Sequence, residues 1–277
     1  MKKTSKKTVY KKIDGKKYKA RIRGIKRFLL FILVVTATVL FARSSFFIVD
    51  KIKVEGNKKY VAEDVIKQTG LVTGFNIFKM LGEKPKNLFS FRFNDAEKSI
   101  LKAMPYIKTV RVGPSLPDKI KIRIQERTPF AVLETKGTSL LIDKEGYVLE
   151  ELKDSNLKDK YFKIIGNSVD SYNLGQSVKF KGRSPLNELI DFCAAINKND
   201  KDSQLKLYKE ISEVNLSETN NMIVVFDNRI TVKFGDLEDI EYKIRFFRQL
   251  YVNNITEKQK GMLDFTKGGN PYFVLND

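Results

Sequence analysis

A stretch of fifteen uncharged residues, Phe28–Ala42, lies directly behind a strongly basic leader. Residues 1–27 contain thirteen Lys or Arg and a single acidic residue. Fifteen helical residues at about 1.5 Å each are too short for a hydrocarbon core of about 30 Å, but a helix that continues to Val49 is long enough. Arg43 then lies near the outer end, where its side chain can reach the headgroups. The pattern predicts a transmembrane anchor over residues 28–49.

The same charge asymmetry predicts the orientation of the chain. Lys and Arg beside a hydrophobic segment are retained in the cytoplasm, so residues 1–27 form a basic cytoplasmic tail and the chain from about residue 50 faces outside. A cleaved secretion signal is the alternative, because it also joins a charged region to a short apolar one. The residues around Ala37 and Ala42 do not form a small-residue cleavage pattern, which favours an uncleaved, single-pass type II anchor in the cell membrane.

The charge of the whole chain points to lipid more than to nucleic acid. Twelve of the nineteen net positive charges belong to the leader. A tail of Lys pairs next to a membrane segment is typical of an orientation signal that lies against acidic headgroups. Tyr10 and Tyr18 are the aromatic residues of this leader, too few for a base-stacking platform. No nucleic-acid partner is expected.

The amino-acid types that this sequence lacks exclude most kinds of catalytic and metal-binding site. The chain has no histidine, so it cannot form a Ser-His-Asp triad, a Cys-His pair or an HExxH zinc site. Its one cysteine, Cys193, cannot form an intramolecular disulfide, and its spacing from Leu and Ile residues predicts a small buried side chain. Neither phosphate-binding glycine motif is present. No cofactor, metal or small-molecule substrate is expected.

Catalysis by carboxylates alone is the remaining enzymatic possibility. Glu126, Asp143 and Glu145 are candidates for a hydrolase that acts on the cell wall. No spacing in the sequence places two of them across a cleft, and charged loop residues are usually solvated. The sequence therefore favours a protein that is not an enzyme.

The first part of the predicted exterior region follows the order strand, helix, helix, strand, strand. Gly70 and Pro105 end the two predicted helices. Ile and charged residues alternate strictly over residues 119–126, which predicts a half-buried strand. The predicted elements lie at residues 48–54, 62–69, 94–104, 107–112 and 119–126. This order resembles a POTRA domain.

Motifs farther along the chain extend the resemblance to the FtsQ/DivIB cell-division family, of the DivIB-like, Gram-positive type. Residues 126–131 read Glu-Arg-Thr-Pro-Phe-Ala, and a hydrophobic-Asp-x-x-Gly turn follows at Asp143–Gly146. Segments 230–235 and 261–265, with Lys243 on a helix between them, are also similar. The resemblance implies an α+β protein with a single transmembrane helix, a POTRA domain (β-α-α-β-β) and a mixed α/β "β domain" built on an antiparallel-rich sheet. Its expected limits are 50–122 for the POTRA domain, 123–265 for the β domain, and 266–277 for a terminal strand and short tail.

Several of these segments also have ordinary structural interpretations. Asp143–Gly146 and Asp227-Asn228 are suited to hairpin turns. Ser184-Pro185 predicts the start of an amphipathic helix that ends near Asn197. A stripe of apolar residues predicts a helix packed on a sheet; its members are Leu237, Ile240, Ile244, Phe247 and Tyr251.

The last apolar segment, Pro271–Leu275, predicts a strand with an open edge. An open edge invites a strand from another chain, with backbone hydrogen bonds supplying affinity. The resemblance implies that the terminal strands bind a partner of the FtsB/DivIC type. It assigns that role to six residues, Leu263, Asp264, Phe265, Tyr272, Phe273 and Val274. Members of the family often have an Arg directly after a pair formed by Asp and a hydrophobic residue. In this chain that pair is Asp264-Phe265, and Thr266 and Lys267 follow it.

The resemblance implies a non-catalytic divisome scaffold at the division septum. It would bind FtsB/DivIC-like and FtsL-like proteins near the septal peptidoglycan synthase. The alternative is a POTRA-bearing transport or chaperone protein that handles extended peptides at its sheet edges. A barrel or repeated POTRA units would favour that alternative, and the sequence shows neither pattern.

Overall fold

The first element of the fold is a long apolar helix. The structure, a computed structural model, describes residues 15–153, 160–166, 168–217, 221–268 and 271–275, with side chains from residue 21 onward. Helix α1 spans Gly15–Ala42. Within it, Arg21–Ala42 is 22 residues long and apolar enough to cross a membrane. At about 1.5 Å per residue this segment covers the hydrocarbon thickness of a bilayer.

The bounds of this helix differ from the expected anchor at residues 28–49. The helix ends at Ala42, and its length comes from basic and apolar residues before Phe28. The side-chain amide of Asn76 donates hydrogen bonds to the carbonyl oxygens of Ala42 and Ser44, both at 2.9 Å. Phe47 and Val49, which the sequence placed in the membrane, are buried in the folded protein. The chain thus leaves the helix earlier because Asn76 satisfies carbonyls at its end.

The region from Lys51 to Glu126 contains the expected β-α-α-β-β order with two additional short helices. The three strands form a sheet of order β1-β3-β2. Asn76 begins α3, because its side-chain oxygen accepts from the backbone N–H groups of Phe78 and Lys79. Pro85 lies in the first turn of α4. The elements are β1 (Lys51–Glu55), α2 (Ala62–Thr69), α3 (Ile77–Gly82), α4 (Pro85–Ser90), α5 (Asn94–Ala103), β2 (Ile107–Ser115) and β3 (Lys119–Glu126).

The chain divides into two compact units. The first comprises residues up to 53, 71–94 and 112–122, and the second comprises 54–70, 95–111 and the chain from 123 onward. Buried apolar residues of the first unit include Phe47, Val49, Ile77, Leu81, Phe93, Val112, Ile120 and Ile122.

The second unit contains a nine-stranded sheet of order β14-β13-β12-β11-β10-β7-β4-β5-β6. Strand β7 pairs in parallel with β4 and β10, and β12 pairs in parallel with β13, whereas the other neighbours are antiparallel. A separate pair, β8 and β9, is also antiparallel. The strands are β4 (Pro129–Thr135), β5 (Thr138–Asp143), β6 (Val148–Leu152), β7 (Lys163–Ile165), β8 (Val169–Ser171), β9 (Lys179–Phe180), β10 (Ile211–Asn215), β11 (Met222–Phe226), β12 (Ile230–Gly235), β13 (Gly261–Asp264) and β14 (Phe273–Leu275). The predicted antiparallel-rich, mixed α/β fold is confirmed.

Three helices pack against the core of this sheet: α6 (Leu186–Asp200), α7 (Leu207–Glu210) and α8 (Ile240–Asn253). Ile244 and Phe247 of α8 are fully buried, as the apolar stripe predicted. Cys193 is buried in α6, and burial raises the pKa of its thiol to about 12. The thiol is therefore protonated and unreactive near neutral pH.

Both predicted hairpin turns are present. Asp143 accepts hydrogen bonds from the backbone N–H groups of Glu145 and Tyr147, both at 2.9 Å, between β5 and β6. Asp227 and Asn228 both have φ of +51° between β11 and β12. Asp and Asn tolerate this left-handed conformation, which suits the twist of a two-residue hairpin.

A buried ion pair joins α6 to α8. Arg248 contacts Asp200, and both side chains are largely buried. Asp200 also accepts from the backbone N–H groups of Leu207 and Tyr208, at 3.0 and 2.9 Å. Helix α6 continues to Asp200, three residues past the predicted end at Asn197, so that this carboxylate reaches its partners.

Candidate partner-binding edge

The terminal strand β14 forms one end of the nine-stranded sheet. It pairs antiparallel with β13, with Leu263 opposite Phe273 and Gly261 opposite Leu275. Within the part of the chain that the structure describes, no strand lies beyond β14. Alternate backbone N–H and C=O groups of an edge strand point away from its neighbour. The predicted open edge is therefore present, on a strand slightly shorter than expected.

The opposite end of the sheet is different. Strand β6 lies there, and its first residue, Val148, exchanges backbone hydrogen bonds with the segment at Gly175 and Gln176. Glu150 of β6 accepts a hydrogen bond from the Tyr106 hydroxyl at 2.8 Å. Covering segments and charged side chains are common ways to protect an edge from pairing. Of the two sheet ends, β14 is the more suitable for strand addition.

Two of the six predicted partner-binding residues have side chains that are accessible at this edge. Tyr272 is 57% exposed and Val274 is 42% exposed. Phe273, between them, is partly buried and packs against the core of the sheet. This alternation is what a half-buried edge strand produces, because successive side chains point to opposite faces. An added strand would meet Tyr272 and Val274 on the exposed face.

The other three predicted residues support the edge from inside. Leu263 is fully buried in β13, which is paired on both sides by β12 and β14. Phe265 packs against two aromatic rings, with centroid distances of 5.8 Å to Phe234 and 5.9 Å to Phe246. These side chains hold β13 in place and are not presented on the surface of the sheet.

Asp264 ends strand β13 and fixes the turn that follows. Its Oδ1 accepts from the backbone N–H of Thr266 at 2.9 Å and from the Thr266 hydroxyl at 2.6 Å. Lys233 lies 3.7 Å from Oδ2. Burial raises the pKa of Asp264, but the hydrogen bonds from Thr266 and the charges of Lys233 and Lys267 together leave the pKa lowered. Thr266 and Lys233 are therefore the polar partners of this carboxylate.

Close packing between β13 and β14 depends on Gly261. A Cβ atom at this position would lie 2.4 Å from the carbonyl oxygen of Val274 and 2.5 Å from the ring of Phe273. Such distances are far shorter than van der Waals contact. The sequence prediction missed this requirement, since the glycine signals a close approach without saying which strand approaches.

The three candidate catalytic carboxylates hold local structure. Both carboxylate oxygens of Glu126 accept hydrogen bonds from the backbone N–H groups of residues 58–60, with N···O distances of 2.8 to 3.3 Å. Arg127 bonds Asp143 at 2.6 Å and Glu145 at 3.0 Å, and it lies over the ring of Tyr147. Hydrogen bonds from Lys108 and then from Arg127 lower the pKa of Glu145. None of these contacts pairs two carboxylates across a cleft, the arrangement that glycoside hydrolysis needs.

Acidic side chains in the described ranges do not gather into a cluster of the kind that holds a metal ion. No group of three or more His, Cys, Asp or Glu side chains in these ranges is placed to hold one. Arg127 forms ion pairs with two carboxylates of this region, Asp143 and Glu145. The charged groups of this region thus compensate one another.

Comparisons with known proteins match most of the chain from α3 onward. The family "POTRA domain, FtsQ-type" matches residues 79–127, and the family "Cell division protein FtsQ/DivIB, C-terminal" matches residues 131–265. The second match ends at Phe265, so β14 lies beyond it.

Curated relatives extend the match to the N-terminal region. Cell division protein DivIB of Clostridium tetani is 27% identical over 90% of this chain and 86% of its own length. DivIB of Clostridium botulinum strain Hall is 26% identical over 95% of both chains. Cell division protein FtsQ of Syntrophotalea carbinolica is 27% identical over 82% of this chain and 72% of its own length. With its apolar helix, its POTRA region and its sheet-rich C-terminal region, the chain belongs to the FtsQ/DivIB family of cell division proteins.

Proposed function

We propose that this protein is a non-catalytic divisome scaffold that binds a strand of an FtsB/DivIC-like partner along β14. The observation that carries the proposal is the open edge of β14 with its exposed residues Tyr272 and Val274. Backbone hydrogen bonds across this edge supply affinity, each contributing about 0.5–1.5 kcal/mol net. The exposed side chains supply selectivity. Leu263, Asp264, Phe265 and Phe273 act indirectly, by holding the edge in place.

The membrane helix gives this scaffold a defined side of the membrane. The leader carries thirteen Lys or Arg in residues 1–27 and is retained in the cytoplasm, so the chain from about residue 50 onward lies outside. The protein would then hold the FtsB/DivIC-like and FtsL-like proteins at the septum, beside the septal peptidoglycan synthase. Membership in a family of cell division proteins supports this location.

A binding assay with charge variants tests the proposed edge. The full-length chain is placed in nanodiscs, and its affinity for the purified DivIC-type protein of the same organism is measured by biolayer interferometry. The double variant Tyr272→Glu and Val274→Glu is expected to weaken binding about tenfold or more, because both carboxylates lose water when a strand is added. Val252→Glu, at a 55% exposed position on α8, is the matched control and keeps full affinity. Equal affinity of the edge variant and the wild type would contradict the proposal.

The transport or chaperone alternative uses the same edge with less selectivity. A competition assay separates the two functions, since a chaperone edge accepts unrelated extended peptides. Displacement of the DivIC-type protein by several unrelated apolar peptides at similar concentrations would favour the alternative. Displacement by the partner's own segment alone favours the scaffold.

The structural use of Glu126, Asp143 and Glu145 supports a non-catalytic role. These carboxylates accept backbone hydrogen bonds or pair with Arg127 and Lys108. Incubation of the full-length protein with purified cell-wall sacculi is expected to release no muropeptides. Release that Glu126→Gln or Asp143→Asn abolishes would contradict the non-catalytic assignment.

A further inference from the structure

The first compact unit exposes a group of large apolar side chains close to the membrane helix. Phe89, on the short helix α4, is 90% exposed, the highest exposure among the large hydrophobic residues described. Other apolar residues of the same unit are also at least 40% exposed, and four of them follow α1, precede α3, or lie in or directly after α4. We call the five the membrane-proximal surface: Phe46, Phe75, Leu88, Phe89 and Phe91.

Aromatic contacts connect this surface to the last turn of α1. The ring of Phe41 lies 5.2 Å from that of Phe47, which lies 4.9 Å from Phe78. Phe78 in turn lies 6.3 Å from Phe91. Three ring-to-ring steps therefore lead from the end of the membrane helix to the residue that follows α4.

Hydrogen bonds fix the same region to the end of α1. Asn76 bonds the carbonyl oxygens of Ala42 and Ser44, and it also begins α3. The backbone N–H of Val49 donates to the carbonyl of Phe75 at 2.9 Å. The α3–α4 segment therefore cannot swing freely away from the point where the chain leaves the membrane.

The charge around this surface suits acidic lipid headgroups. Residues 79–92 contain four Lys or Arg and one acidic residue. Lys79 and Lys86 are exposed, and Arg43 is exposed at the end of α1. Apolar side chains beside Lys and Arg are typical of segments that lie in the membrane interface, where the apolar face enters by about 5–10 Å.

We propose that the membrane-proximal surface is seated in the outer leaflet of the bilayer that α1 crosses, with the ring of Phe89 below the headgroups. Lipid is the favoured occupant because α1 already places the surface at the bilayer, and because the flanking charges match acidic headgroups. Seated in this way, the first unit is held against the membrane.

Depth-dependent fluorescence quenching tests this seating in the full-length chain. Phe89→Cys is labelled with the fluorophore NBD and reconstituted in nanodiscs of phosphatidylcholine and phosphatidylglycerol that contain a spin-labelled lipid. The native thiol of Cys193 is buried and has a raised pKa, so the label attaches to position 89. The control is Val252→Cys, another exposed apolar position, in the second unit.

The proposal predicts blue-shifted emission at position 89 and about threefold or more stronger quenching there than at position 252. Adding Lys79→Glu and Lys86→Glu is expected to reduce quenching at 89, since like charges repel the acidic lipid. Equal, weak quenching at both positions would overturn the proposal. A blue shift of the NBD emission at position 89 that appears only after a division protein is added would also overturn the proposal. That result would assign the surface to a protein partner.

Discussion

At the residue scale, the fold depends on charged groups whose partners lie far away in the sequence. Arg248 and Asp200 are 48 residues apart, and Arg127 and Asp143 are 16 apart. In the sequence, each of these four residues looks like an ordinary charged residue of the protein surface. Sequence patterns identified the hairpin at Asp143 correctly but could not identify these pairs, because periodicity reports which face is apolar and not which charges meet.

Replacement of Arg248 by Ala is expected to destabilise the second unit strongly. The change leaves the buried carboxylate of Asp200 without its cation, and breaking a buried pair in this way costs about 3–5 kcal/mol. Hydrogen exchange of the α6 and α8 amides in the full-length chain measures the effect. The matched control, Arg245→Ala, removes an exposed charge from the same helix and should change exchange little. Equal effects of both variants would show that the ion pair contributes nothing specific.

The pKa of Asp264 predicts how the terminal edge responds to acid. Its folded-state pKa is lowered, so its stabilising contribution is complete above the unfolded value of about 3.9 and is lost as the pH falls through the folded value. The wild type should therefore lose more stability between neutral pH and about pH 3 than Asp264→Asn does. Thermal unfolding of both proteins across this range measures the difference. Parallel pH profiles would contradict the role given to this carboxylate.

At the element scale, helices and strands were predicted correctly where the segment itself contains a periodic apolar pattern or a clear stop residue. The strand over Lys119–Glu126 has the predicted bounds, and α2 stops at Gly70 as predicted, where the backbone is left-handed. Helices α3 and α4 were not predicted, because each is six residues long and α3 begins at a cap that also contacts α1. The parallel partners of β7 were missed because a three-residue strand carries little periodicity and its neighbours are distant in sequence.

Replacement of Gly261 by Ala is expected to separate β14 from β13. The new methyl group would collide with the Val274 carbonyl and the Phe273 ring, so the terminal strand must shift. The β14 amides that hydrogen-bond to β13 should then exchange with solvent faster, and affinity for the DivIC-type partner should fall. Gly82→Ala is the control, since nothing lies within 4 Å of its Cβ position. Unchanged exchange at β14 would contradict the packing described.

At the scale of the whole molecule, one apolar helix and one open sheet edge define the proposed role. The sequence predicted both, because a charge-free segment behind a basic leader and an apolar segment near the C-terminus are local features. Which of the six assigned residues face outward could not be predicted, since this depends on β14 covering β13. The proposed domain limits, 50–122, 123–265 and 266–277, stay predictions that limited proteolysis of the full-length chain can test.

The basic leader predicts that the sheet faces the cell exterior. A protease added to intact cells stripped of their wall should cut the chain beyond residue 50 and leave the leader intact. Detection of an N-terminal epitope tag in a short, protected fragment measures this outcome. Protection of the whole chain, with cutting only after the cells are lysed, would contradict the orientation.

The most direct test of the central claim is crosslinking at the terminal strand in living cells. The photoreactive residue p-benzoylphenylalanine is placed at Tyr272 in the full-length protein, and at Val252 as the exposed control. Illumination is expected to join position 272 to the DivIC-type protein and to give no such product at position 252. Crosslinking to that protein at position 252 but not at 272 would show that β14 is not the binding edge.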